Sequence, residues 1–135
     1  MDKKLIYMKG ETGGIEFCDL FFKSKKIVHV KRYGGSSVLS HLFWQGAVSA
    51  ELFISEEKFR IALNKVLPES HHIADVRARP NPSEYEIIYA IGSEVPGMLK
   101  LPLFSKVSFR STYRHLKEAL AYSVSYYKIN ITKEL

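Results

Sequence analysis

Asp19, His29 and Lys31 stand inside runs that are otherwise apolar, IEFCDLF at 15–21 and IVHVKRY at 27–33. A polar group in a strand interior is costly to bury without a partner, so three of them in neighbouring runs mark a site or an internal ion pair. Both runs are β-rich, and Lys23-Ser24-Lys25-Lys26 between them reads as a hairpin turn. A turn centred on residues 24–25 sets Asp19 opposite His29 or Lys31. Side chains alternate along a strand, so all three then share one face, and a slip of one residue would scatter them. A carboxylate beside a lysine on one sheet face can hold a divalent metal, orient a water and stabilise charge on a phosphate.

The elements that must position these groups follow in order. Residues 3–9 read as a first strand, 15–22 as a second and 27–33 as a third. Apolar residues fall at odd and even positions of the hairpin strands, which predicts helices over both sheet faces. Gly34-Gly35 ends the third strand, and Ser36 or Ser37 caps a helix whose buried stripe is Leu39, Leu42, Phe43, Gly46, Ala50 and Phe53. Ser37, His41 and Gln45 line a second stripe beside it, which brings Gln45 near the hairpin site or leaves it satisfying backbone groups at the sheet edge. Trp44 belongs to the core or, if exposed, to a dimer surface.

Ser55 is the expected cap of the next helix, with Phe59, Leu63 and Val66/Leu67 as its buried face. The proline-punctuated stretch 68–84 reads as loop with a short strand near 73–76, residues 85–92 as a strand, 111–122 as the last helix and 123–131 as a closing strand. The result is a single α/β domain over 1–135, a mixed sheet with packed helices in the order βββααβαβ.

Composition narrows the function. A hydrophobic share of 46% with eight Phe and eight Tyr belongs to a folded protein and not to a disordered chain. No apolar run approaches the roughly 20 residues of a bilayer-spanning helix, and the Asp2-Lys3-Lys4 start is not a signal peptide. The single cysteine, Cys18, cannot form an internal disulfide and suits the cytoplasm. Twenty Lys and Arg against fourteen Asp and Glu give +6, which favours a polyanionic partner over a membrane surface. The cations that would meet it are Lys23, Lys25, Lys26 and Arg32 around the hairpin, and Arg110, Arg114 and Lys117 on one face of the last helix. The competing reading of each is a solvated charge.

Asp19, followed by His29-Val30-Lys31 and a helix, resembles the core of the PD-(D/E)xK nucleases, whose fold is restriction-endonuclease-like. The resemblance implies that Asp19 binds a metal, Mg2+ or Mn2+, and that Lys31 positions water or phosphate. It implies a supporting role for Gln45, since some nucleases of that fold use a helix glutamine near the site. His29 departs from the pattern, because it occupies the place of a second carboxylate and imidazole prefers softer ions than magnesium. IEFCDLF, IVHVKRYGGSSVLSHLFWQGAVSAEL and LPLFSKVSF are similar to the C-terminal part of a sporadically distributed family of uncharacterised bacterial proteins. That family tends to occur in mobile-element and defence loci, which implies DNA-directed work, and the chain lacks its large N-terminal portion.

Two classes of function are therefore expected. One is a nucleic-acid-binding domain, DNA favoured, in which metal-dependent phosphodiester hydrolysis depends on Asp19, His29, Lys31 and Gln45. The other is a non-catalytic interaction module, a homodimer, that keeps the fold and uses the hairpin groups only to hold it together.

Overall fold

A short hairpin turns on Lys25, whose left-handed backbone (φ 65°) closes the Phe22–Lys26 reversal. The Lys25 N–H donates to the Phe22 carbonyl and the Phe22 N–H to that of Lys26, both at 3.0 Å. The computed structural model of the chain describes residues 18–33 and 36–131, and for Ser36 and Ser37 the backbone alone. The strand expected at 3–9 and the start of the one expected at 15–22 lie outside the described residues.

The described chain runs β1 (Leu20–Phe21), β2 (Lys26–Arg32), α1 (Ser36–Ser55), α2 (Glu57–Val66), β3 (Glu86–Ser93), α3 (Leu103–Arg114) and β4 (Ser123–Asn130). Short 3-10 turns lie at Glu69–His71 and Pro82–Glu84, and a π-helical turn, His115–Ala119, extends α3. One mixed sheet takes the four strands in chain order, β1 antiparallel to β2 and the other neighbours parallel. This is the expected α/β class. β3 is central and buried almost throughout, which matches its unbroken apolar sequence EIIYAIGS.

All three helices serve one face of that sheet. Ile27, Ile87, Tyr89 and Ile91 pack there with Leu39, Phe43, Ala47, Ala50 and Phe53 of α1 and Phe59 and Leu63 of α2. The opposite face carries a separate small cluster of Val28, Ile88 and Ala90, flanked by Leu20 and Phe22. No described helix lies over it, so among the described residues helices cover one face where the sequence predicts them on both.

Two tyrosines bolt α1 to the sheet. Tyr89 Oη donates to the Phe43 carbonyl at 2.9 Å, and Tyr122 Oη to that of Ala50 at 2.6 Å. Each such bond contributes about 1 kcal/mol net, and more would be lost by leaving the hydroxyl buried and unpaired. Burial holds both phenols well above their ordinary pKa.

The 68–84 segment contains no strand near 73–76 and is fixed by side chains instead. Buried Arg60 donates from Nε to the Val76 carbonyl (2.9 Å) and from Nη1 to that of Phe53 (2.8 Å). Asn64 exchanges a reciprocal pair of bonds with the Ile73 backbone, at 3.1 and 2.9 Å. Ser55 does not cap α2, because its hydroxyl bonds back to the Glu51 carbonyl at 2.8 Å and Glu56 takes the cap position. No described helix is long and apolar enough to cross a membrane.

Gly46 is where α1 passes Tyr89. A Cβ there would sit 2.5 Å from Tyr89 Oη and 2.8 Å from its Cε1. The ring cannot swing aside, since it is fully buried between His29 and Phe43. Gly46→Ala is expected to cost about 1–3 kcal/mol by overpacking, visible as a Tm lower by several degrees. A Tm equal to wild type would show that the ring yields.

Candidate functional site

The hairpin register pairs Leu20 with Val28 and Phe21 with Ile27, and Asp19 lies on a bend just before it, its N–H donating to the Val28 carbonyl at 3.0 Å. Ile27, His29 and Lys31 alternate onto the helix-covered face, next to Ile87, Tyr89 and Ile91 of β3. His29 and Lys31 therefore share the face expected from the sequence, Asp19 lies close enough for its charge to act on His29, and the three groups meet different fates. His29 is sealed in, 5% exposed, its ring stacked on Tyr89 at 5.5 Å and 25°. Asp19 is half-buried, and its Oδ2 accepts the Val30 N–H at 2.7 Å. β1 spans only Leu20–Phe21, so this carboxylate takes the place of a strand carbonyl on the far side of β2. Lys31 is exposed, with no ion pair among the described residues.

Burial removes the charge from His29. Its pKa falls to about 4 because desolvation outweighs the opposing pull of the Asp19 carboxylate. The ring is thus neutral at pH 7, and its Nε2 has no hydrogen-bond partner among the described residues. Gln45 is half-buried on α1, and no hydrogen bond joins it to Asp19, His29 or Lys31.

These side chains do not by themselves make a divalent-metal site. Magnesium and manganese want several oxygens, at least one or two of them carboxylate. Here one Asp19 oxygen is already engaged, the His29 nitrogen faces packed side chains, and no three His, Cys, Asp or Glu residues gather among the described residues.

The hairpin cations are partly spent on the fold. Lys25 pairs with Glu84 and lies 5.4 Å from the Tyr85 ring centre, and the Glu84 carboxylate pushes its pKa up. Arg32 pairs with Glu94 at 2.8 Å. Lys23 and Lys26 are exposed. The cations of α3 are different. Arg110, Arg114 and Lys117 recur along one flank, joined by Lys106 one turn earlier, and all four are exposed with no ion pair among the described residues. Lys106 was beyond reach of a helix read as starting at residue 111.

Beside that flank lies a groove of about 410 Å3 between α3 and β4. Its aromatic lining is Phe109, Tyr113 and Tyr126, with the Phe109 and Tyr126 rings edge to face at 4.9 Å. Leu99 and Leu101 form the loop side, and Lys106 and Arg110 the rim. Lys128 of β4 secures that loop by donating to the carbonyls of Val95 and Gly97. Residues 123–131 were read for strand spacing alone, so Tyr126 carried no signal of facing a helix twenty residues earlier.

His29 gives a pH signature. The unfolded chain holds this proton up to the ordinary 6.5, the folded one only to about 4. Between those values the unfolded state binds more protons, so stability falls as pH drops through the window. The full loss is about 3 kcal/mol, and His29→Phe, which keeps the ring, is expected to remove it. Urea unfolding of both proteins at about pH 7 and about pH 4.5 checks this; parallel losses would place the dependence on other groups.

No curated protein and no solved structure matches the chain. A family model does, over residues 1–130, and the chain belongs to that family, a family of unknown function (DUF6119).

Proposed function

We propose that the protein binds nucleic acid, DNA by preference, through the exposed flank of α3, and that its hairpin polar groups maintain the fold. The observation that carries this is the row Lys106, Arg110, Arg114 and Lys117, four solvent-facing cations without ion pairs among the described residues. The net charge of +6 supports it. Lys25 and Arg32, by contrast, are each paired with an acid. A row of unpaired cations can neutralise phosphates of a polyanion and release their counterions. The proposal retains a restriction-endonuclease-like resemblance for the core, a cytoplasmic setting and an association with mobile-element or defence loci. It sets aside hydrolysis at Asp19, His29, Lys31 and Gln45, since that donor set supplies one partly engaged carboxylate.

A homodimer is a second reading, favoured by Trp44. It is 62% exposed on α1, with Val38 also exposed two turns before it. Light scattering of wild type and Trp44→Ala reads this directly, and a monomer in both removes it.

Fluorescence anisotropy with a labelled DNA duplex tests the main proposal. Binding is expected at low salt, with log affinity falling linearly in log salt. Each Ala substitution among the four cations should flatten that slope by about 0.9. Absence of binding at low salt by this duplex and by a single strand of the same length removes the proposal. Incubation with Mg2+ or Mn2+ is expected to leave the DNA intact, and cleavage abolished by Asp19→Ala or Lys31→Ala would restore the hydrolytic reading.

A further inference from the structure

We infer that the groove between α3 and β4 holds an unpaired base, so that the preferred ligand is a single strand and not a duplex. This rests on the nucleic-acid proposal and names the form of nucleic acid it takes. Three features converge on one place. The walls are aromatic, Phe109, Tyr113 and Tyr126, with Tyr126 44% exposed and its ring open to solvent. The rim is cationic, Lys106 and Arg110, and the row continues through Arg114 to Lys117, whose Nζ lies 5.5 Å from the Tyr113 ring centre. The volume, about 410 Å3, is at the small end of ligand sites and suits one nucleoside better than a larger molecule.

Each feature excludes an alternative. A duplex offers phosphates to the cations, but its bases are stacked on one another and present no free face to an aromatic wall. An apolar peptide would fill the groove and leave the rim charges unused. A single strand uses both, phosphates along the α3 row and a base against Tyr126, which is how aromatic and cationic side chains jointly hold unpaired strands. The aromatic walls are also firmly based. Phe109 meets Phe43 at 5.0 Å and Tyr126 at 4.9 Å, so the ring that would receive the base is braced from the core.

The test measures anisotropy of the intact chain with three labelled probes of equal length: oligothymidylate, the same backbone with abasic sites, and a duplex. Oligothymidylate is expected to bind roughly tenfold tighter than the abasic strand, the scale of stacking one base. Tyr126→Ala should bring it down to the abasic level, and Tyr126→Phe, which keeps the ring, should restore it. Thermal melting of both variants verifies that they fold. Equal affinity for oligothymidylate and the abasic strand overturns the inference while the cationic row stands. Retention of none of the three probes at low salt overturns both.

Discussion

The seating of Tyr89 against α1 is the contact on which the other elements depend. Its ring lies against the backbone of α1 where Gly46 has no side chain, its hydroxyl meets the Phe43 carbonyl, and its opposite side stacks on His29. One residue of the central strand thus sets how close the long helix comes, and it closes the hairpin's inner face in doing so. Phe43, held edge-on to Tyr89 at 5.1 Å, passes the same constraint to Phe109 of α3. The position of α3, and of everything on its outer flank, follows from a tyrosine two elements away.

That packing decides what the hairpin groups can do. An imidazole beneath a helix and against a phenol ring gains more from losing its proton than from attracting the carboxylate across the strand, so His29 is neutral. Asp19 then has no cation to serve on that side and takes the nearest strong donor, the Val30 N–H. With a first strand of two residues, the Val30 N–H on the outer side of β2 finds its partner among the described residues in this carboxylate. Of the three residues that resemble catalytic chemistry in sequence, Asp19 is engaged by a hairpin N–H, His29 is sealed in the core and Lys31 faces solvent.

Much of the architecture was legible in the sequence, and the parts that were not have physical causes. The hairpin register, α1, β3 and β4 followed from apolar runs with clear periods, and the structure places them there. The last helix was read as 111–122, yet α3 starts at Leu103. Its first turns carry Leu103, Phe104 and Val107 towards solvent, 72%, 74% and 60% exposed, while small polar Ser105 and Thr112 face inward. A helix that reverses the usual apolar rule at its start hides from a search for buried stripes. At the site, His29 and Lys31 share the helix-covered face that their spacing predicts, but spacing cannot say which side chain a helix will cover. The groove escaped because Phe109, Tyr113 and Tyr126 come together only after β4 has returned alongside β3.

Distribution of charge completes the account. Around the hairpin, Lys25 and Arg32 are each held by an acid, Glu84 and Glu94, close to the ends of β3. Those pairs are exposed and add little to stability, and Lys23, Lys26 and Lys31 beside them carry no ion pair among the described residues. On the far side of the sheet edge, Lys128 gives its hydrogen bonds to loop carbonyls, and His115 meets Glu51 across the α1–α3 junction. The outer flank of α3 carries four exposed cations in a row, Lys106, Arg110, Arg114 and Lys117, with no ion pair among the described residues. An excess of six positive charges spread evenly would create a diffuse attraction for any polyanion. Four cations in a row on one helix concentrate part of that attraction, and the groove beside them offers aromatic rings to a ligand drawn there.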